Sequence, residues 1–317
     1  TIKAKVTSVE EIMEVRLDYQ VVAPGDYITI DDSRYATSWS ALPMRDDGQL
    51  GDVDAGDSTY TIVLPATVSA HRHLVRYRIT ARDAKGATVT TPMADDSQPN
   101  FAFFCYDGVP PWQGSPRPGH TSVVTYSKEL LESLPIYHLI TTRQSHMDSQ
   151  YIPSSGSGKY GGSDYKWKGT LIYGNKIYDH IRFRARGGVW RYAMGKNMWK
   201  FDFNRGHEFQ PRDDYGKKYS TKWDKLNFSS IIQQGNFRHR GENGMFESVG
   251  FRLFNLAGVE GPDTHFVHFR IIESAFETGA TQYSSDFQGP YLAIEQLDGN
   301  FLDAHDLPDG NLYKMER

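Results

Sequence analysis

Hydrophobic and polar residues alternate with a period of two along the first third of the chain. The alternation is clear in segments 14–21, 59–66 and 74–83, and turns rich in Asp, Gly and Pro separate these segments. A period of two is typical of half-buried strands. The pattern predicts an all-β sandwich over residues 1–106.

A segment rich in proline and glycine follows at residues 107–119, and we predict that it is a linker. Beyond it, strand patterns alternate with two helical ones. Ser127 is a candidate helix cap, and residues 242–257 place apolar side chains near one helical stripe. The sequence therefore predicts an α+β domain over residues 120–317.

Composition narrows the range of functions. The chain has 317 residues with a net charge of -4, which argues against nonspecific binding of nucleic acid. Cys105 is the one cysteine, so the chain forms no internal disulfide. The longest apolar runs are far shorter than the roughly 20 residues that cross a bilayer, so we expect no membrane span.

An acidic loop at residues 46–57 is a candidate calcium site in the first domain. Calcium prefers hard oxygen ligands, and glycines let a loop fold around an ion. The spacing departs from that of an EF-hand, and Asp and Gly are also the residues that tight turns select without a metal. The five candidate ligands are Asp46, Asp47, Asp52, Asp54 and Asp57.

Residues 181–203 carry the strongest signal for a binding site. Alternation along a strand places Arg182, Arg184 and Arg186 on the face opposite the apolar side chains, and the next strand places Lys196 and Lys200 in the same way. Glycines flank the loop between the two strands, where backbone can approach a ligand closely. The pattern favours binding of a polyphosphate. The solvated face of an antiparallel sheet is the alternative.

The order of several segments beyond residue 120 resembles the spore-coat protein H (CotH) family of atypical, secreted protein kinases. The segments are LPIYHLI, RFRARGG, GKNMWKFDF, a helix, GPYLAIEQLDGNFL and GNLYK. The acidic loop at residues 46–57 and the segment VRYRITARDAKG at 75–86 resemble immunoglobulin-like or fibronectin type III-like modules that precede such domains in exported proteins. The resemblance implies a kinase-like small lobe in a secreted or cell-surface protein.

The resemblance also implies a nucleotide site. Lys196 would contact phosphate with Lys200 as its substitute, Glu247 would orient the lysine, and Glu295 would lie near the base. The full set of nucleotide-binding candidates is Lys196, Lys200, Arg186, Gly187, Gly188, Glu247 and Glu295. The family's Pro-Lys-Lys-Ser run is Gly-Lys-Asn-Met at 195–198 here, so this chain keeps the first lysine as Lys196 and departs from the pattern at the other three positions.

The expected function is binding of ATP with Mg or Mn and transfer of its γ-phosphoryl group to Ser or Thr of a surface protein. The family's catalytic aspartates belong to a large lobe that follows the GNLYK segment. We therefore expect this sequence to be truncated before its catalytic half. The alternative is an exported adhesion protein without catalytic activity that recognises glycans or a protein partner, since aromatic residues permit sugar stacking.

Overall fold

A computed structural model describes residues 1–115, 119–150, 166–187, 196–231, 245–277 and 285–313. The chain divides into two compact units, Thr1–Gly108 and Val109–Arg317. Strands dominate the described residues of both units. No helix in these ranges is long and apolar enough to span a bilayer.

The first unit is built from antiparallel strands. Its elements are β1 (Ile2–Lys5), β2 (Ile12–Val22), α1 (Ser33–Thr37), β3 (Ser40–Pro43), β4 (Thr59–Ile62), β5 (Leu74–Asp83), β6 (Thr88–Thr91) and β7 (Phe101–Phe104). Strands β3, β2, β5 and β6 form one sheet in that order, with β7 also paired to β5, and β1 pairs with β4. The predicted β character of this region is confirmed.

The core of the first unit follows from the alternation in β2 and β5. Val15 and Leu17 of β2 and Ile79 and Ala81 of β5 are buried on one face of the five-stranded sheet. Apolar side chains of β1 and β4 pack against this face. Two layers of strands thus enclose one apolar core, because each layer has a face that must leave water.

The second unit contains nine strands and four helices among its described residues. They are β8 (Trp112–Gly114), β9 (Val124–Tyr126), α2 (Lys128–Leu131), β10 (Ile136–Ile140), α3 (Arg143–Gln150), β11 (Trp167–Tyr173), β12 (Lys176–Arg186), β13 (Met198–Asp202), β14 (Lys225–Ser229), α4 (Phe246–Leu256), β15 (Thr264–Ile272), β16 (Phe287–Glu295) and α5 (Gly299–Ala304). Strands β8 and β9 form a separate pair.

Seven strands of the second unit close into a barrel in the order β10-β11-β12-β13-β14-β16-β15. Strand β10 closes it by pairing in parallel with β15, and the other pairs are antiparallel. Aromatic rings fill the interior: the ring of Phe228 lies 5.0 Å from that of Phe201 and 5.1 Å from that of Phe269. The interior is therefore a packed core, which fixes the positions of residues around its ends.

Three sequence predictions for this unit need correction. Residues 112–114 pair as β8 although they lie in the predicted linker, because Trp112 packs on Tyr126 and Phe287 while the prolines flank the strand. Strands dominate more than the α+β prediction implied, since α2 is one turn long. Helix α4 forms within the predicted range 242–257, but no residue of α4 is buried, so its apolar stripe does not join the core.

Candidate functional site

The predicted cationic face lies on the outside of the barrel. Strands β12 and β13 pair so that Arg184 is opposite Lys200 and Arg182 is opposite Asp202. The alternate residues Phe183 and Phe201 are fully buried in the core. The predicted division of these strands into an apolar and a charged face is confirmed.

Lys196 does not share this outer face, because it precedes β13 and the alternation of the strand does not reach it. Its ammonium Nζ lies 4.0 Å from the ring centroid of Tyr291, a residue of the barrel core. It donates hydrogen bonds to the carbonyl oxygen of Pro290 and, at 3.4 Å, to that of Ser230. Lys196 therefore lies over the end of the barrel where β14 ends.

Lys200 contacts the residue that follows β16. Its Nζ donates to Oε1 of Gln296 at 2.9 Å, and the Nδ2 of Asn227 donates to the same oxygen at 3.0 Å. Pro290 and Gln296 are six residues apart, which is about 20 Å along a strand. The structure thus separates Lys196 from Lys200, and Lys200 is not a substitute for it at one phosphate group.

Burial sets the electrostatics of Lys196. It lowers the pKa of the ammonium to about 7, because the charged form loses its hydration. In the described ranges, no carboxylate forms an ion pair with it, and its hydrogen-bond acceptors are the two carbonyl groups. Lys196 is therefore a partly buried cation, and the described residues supply no counter-charge in ion-pair contact with it.

Arg186 and Glu247 form the second charged element. Burial lowers the pKa of Arg186, and the negative charge of Glu247 in the first turn of α4 opposes this shift. The predicted orientation of Lys196 by Glu247 is therefore not seen; the charge of Glu247 acts on Arg186 instead.

The glycine of the predicted loop has a steric role. Gly187 has φ of +93°, and a Cβ there would lie 2.9 Å from Cε of Met198. Only glycine adopts this conformation readily, and any larger residue would also require the terminal methyl of Met198 to move. Gly188 lies outside the described residues.

Glu295 is buried at the end of β16 rather than open to a ligand. Its Oε2 is 2.8 Å from Nε2 of His305, and His305 Nδ1 is 2.9 Å from Oε2 of Glu260. The backbone N–H of Asp263 donates to Glu295 Oε2 at 3.1 Å. Burial raises the pKa of Glu295, and the hydrogen bond with His305 opposes that shift.

Sequence reasoning missed Glu260, Asp263 and His305 as members of this cluster. The chain places Glu295 and His305 ten residues apart on either side of α5, and Asp263 just before β15. Only the pairing of β15 with β16 brings Asp263 beside Glu295. The one sequence feature that could have indicated this cluster is the segment around α5, which contains acidic residues and a histidine. Its residues do not follow the spacing of a known metal-binding motif.

A cleft of about 530 Å³ lies beside α4. Carboxylates of Asp213, Asp214 and Asp263 line it together with Arg252 and apolar side chains of the helix. The described residues that line it include none of the predicted phosphate-binding residues.

Most aspartates of the acidic loop accept hydrogen bonds from the backbone of the loop itself. Asp46 accepts three hydrogen bonds from backbone N–H groups at 2.7–3.1 Å. Asp52 accepts one at 2.8 Å, which lowers its pKa. Asp47 and Asp57 each accept one from a residue two positions ahead, and Asp54 is exposed. These bonds suit turns without a metal, and a calcium ion here stays a prediction.

Comparisons with known proteins add no relative. No family model matches the chain, no curated protein matches it, and no solved structure matches it. Membership of the CotH family stays a prediction from the order of its segments.

Proposed function

We propose that the second unit binds the phosphates of ATP as the small lobe of a CotH-like atypical protein kinase. The observation that carries this proposal is Lys196, a partly buried ammonium whose acceptors in the described ranges are carbonyl oxygens of Ser230 and Pro290. Carbonyl groups are weak partners for a cation in comparison with phosphate oxygens. An incoming phosphate would therefore replace them and gain a charge-assisted hydrogen bond.

A second cation, Arg186, supports a phosphate site in the same region. Arg186 is opposite Met198 in the β12–β13 register, and Met198 is two residues from Lys196. The carboxylate of Glu247 acts on Arg186. Kinases pair a strand cation with a helix glutamate to hold the nucleotide phosphates. Arg186 and Glu247 supply charges of this kind on β12 and α4.

The complete enzyme would act on Ser or Thr of a protein outside the cell or at its surface. The acceptor hydroxyl oxygen would bond to the γ-phosphorus as the bond to the β–γ bridging oxygen breaks, its proton would pass to a carboxylate base, and ADP would leave. Mg or Mn would neutralise the phosphate charge. This chain's own residues would supply the cations at the phosphates.

Calorimetry tests the proposal by measuring how many protons the protein takes up when it binds Mg-ATP. With a pKa of about 7, Lys196 is about one-tenth protonated at pH 8 in the free protein. A bound phosphate favours the ammonium form, so binding is expected to take up about 0.9 proton per ATP. Titrations in two buffers of different ionisation enthalpy measure this number directly.

Matched variants locate the effect. Lys196→Met is expected to weaken Mg-ATP binding at least about tenfold and to abolish proton uptake. Lys176→Met, an exposed lysine at the far end of β12, is the control and should bind as the original chain does. Absence of Mg-ATP binding, or equal binding by both variants, would contradict the proposal.

A second candidate is an exported binding protein without catalytic activity. The observation that favours it is α4, whose apolar residues Phe246, Leu253 and Leu256 are each more than 60% exposed. Such a surface suits a protein partner better than a glycan. Binding of a partner or a glycan that is unchanged in Lys196→Met, in a chain that does not bind Mg-ATP, would favour this candidate.

A further inference from the structure

We propose that Asp263, Glu295 and His305 bind a divalent first-row transition-metal ion, for which Zn²⁺ is the best fit. Each of these residues offers one ligand atom, and the three atoms lie within 4.8 Å of one another. One imidazole and two carboxylates form a mixed nitrogen and oxygen set, which zinc accepts. The site is independent of the phosphate site, because Glu295 is five residues from Pro290, about 17 Å along β16.

An unsatisfied atom in the cluster points to a ligand. The side chain of Glu295 is 2% exposed, and its Oε1 has no hydrogen-bond partner among the described residues. A buried carboxylate oxygen without a partner costs free energy, because it loses water and gains nothing. A cation bound at Oε1 would remove that cost.

The surroundings of His305 suit a metal ligand. Its Nδ1 is 2.9 Å from Oε2 of Glu260, and its Nε2 faces Glu295. A histidine that binds a metal through one nitrogen usually donates its other N–H to a carboxylate, which fixes the ring orientation. Donation from Nδ1 to Glu260 would leave the lone pair of Nε2 for the ion.

The backbone holds the two acids in place. The N–H of Glu295 donates to the carbonyl oxygen of Asp263 at 3.0 Å, and the N–H of Asp263 donates to Oε2 of Glu295 at 3.1 Å. Both residues lie where β15 and β16 pair, so neither acid depends on a free loop for its position. The ring of His305 lies 4.3 Å from that of Phe301, which adds a third constraint.

The ligand atoms would need a modest adjustment to hold one ion. Two ligands of a tetrahedral zinc ion are about 3.3 Å apart, given bonds of about 2.0–2.1 Å. The three ligand atoms lie within 4.8 Å of one another, so a pair at that limit would approach by about 1.5 Å. Three protein ligands would leave a fourth position for water.

Bound zinc would connect α5 to the end of the barrel. His305 directly follows α5, whereas Glu295 is the last residue of β16 and Asp263 directly precedes β15. Helix α5 has six residues and so has little stability of its own. The ion would therefore stabilise the chain that leaves the barrel.

Zinc titration of the full chain tests the proposal. After treatment with a chelator and its removal, the chain is expected to bind one Zn²⁺ and to unfold at a higher temperature with it. Glu295→Gln keeps an acceptor for His305 but loses the charge, and it should weaken Zn²⁺ binding by at least about tenfold. His71→Gln is the control: it removes an exposed imidazole beside Asp107 and should leave the affinity unchanged.

The position of the bound ion tests the proposal without any variant. Crystals of the original chain grown with Zn²⁺ should show an anomalous peak bounded by Asp263, Glu295 and His305, even if Glu295→Gln fails to fold. Absence of one-to-one binding, a peak elsewhere, or an equal loss of affinity in Glu295→Gln and His71→Gln would overturn the proposal. Each measurement omits nucleotide, so failure of the ATP proposal does not affect it.

Discussion

Replacing Lys196 by methionine should change how the stability of the second unit depends on pH. Methionine keeps most of the side-chain volume and removes the charge. Burial lowers the pKa of Lys196 to about 7 in the folded chain, whereas an unfolded lysine titrates near 10.4. Between these values the unfolded chain binds more protons, so the free energy of unfolding rises with pH.

The size of the effect follows from the pKa difference. From pH 7 to 9.5 the contribution of Lys196 rises by at most about 3 kcal/mol, at about 1.36 kcal/mol per unit. The contact of the ammonium with the ring of Tyr291 favours the charged form by about 1 kcal/mol. We therefore expect a rise of about 2 kcal/mol from Lys196, which Lys196→Met should lack.

Urea unfolding followed by tryptophan fluorescence measures this difference. Five of the six tryptophans lie after residue 109, so the signal reports mainly on the second unit. Lys196→Met should be more stable than the original chain at pH 7, and the advantage should shrink by pH 9.5. Lys176→Met should follow the original chain at both pH values. The same pH dependence with and without Lys196 would refute the account of a poorly hydrated ammonium.

Three further changes test the barrel and helix α4 by the same unfolding measurement. Burial lowers the pKa of His265 to about 4, so the free energy of unfolding should fall by about 2 kcal/mol from pH 7 to 5. His265→Leu should lose this pH dependence. It should also cost about 1–3 kcal/mol at pH 7, because the hydroxyl of Tyr137 loses its hydrogen-bond partner. Gly169→Ala should cost about 1–3 kcal/mol, since its Cβ would lie 2.9 Å from the carbonyl oxygen of Ile140. Gly250→Ala in α4 meets open space and should stabilise by up to about 1 kcal/mol. The account of His265 would be contradicted if the stability of the original chain did not change between pH 7 and 5. The account of the two glycines would be contradicted if Gly169→Ala left stability unchanged or if Gly250→Ala lowered it.

The hydrophobic pattern determined the local structure and the faces of the strands. Alternation along β12 and β13 was enough to place Phe183 and Phe201 in the core and Arg184 and Lys200 outside, because successive side chains of a strand point to opposite sides. The same reasoning failed for Lys196. It lies two residues before β13, where no periodicity constrains the direction of a side chain.

Helix α4 shows a second limit of the pattern. An apolar stripe in the sequence predicts the helix, but it does not say what covers the stripe. In the structure no residue of α4 is buried, although Phe246 and Leu253 belong to that stripe. Burial depends on which neighbours the fold supplies, and periodicity carries no information about them.

The sequence by itself determined which residues are strands, which of their faces are apolar, and that cations collect between residues 182 and 200. Tertiary structure alone decided that seven strands close into a barrel, that Lys196 lies over its end, and that Asp263, Glu295 and His305 meet. The physical reason is the separation in sequence of the residues that interact. The direction of a strand side chain depends on its neighbours in the chain. Closure of the barrel and assembly of the Asp263, Glu295 and His305 cluster instead depend on pairing between segments far apart in sequence, such as β10 with β15.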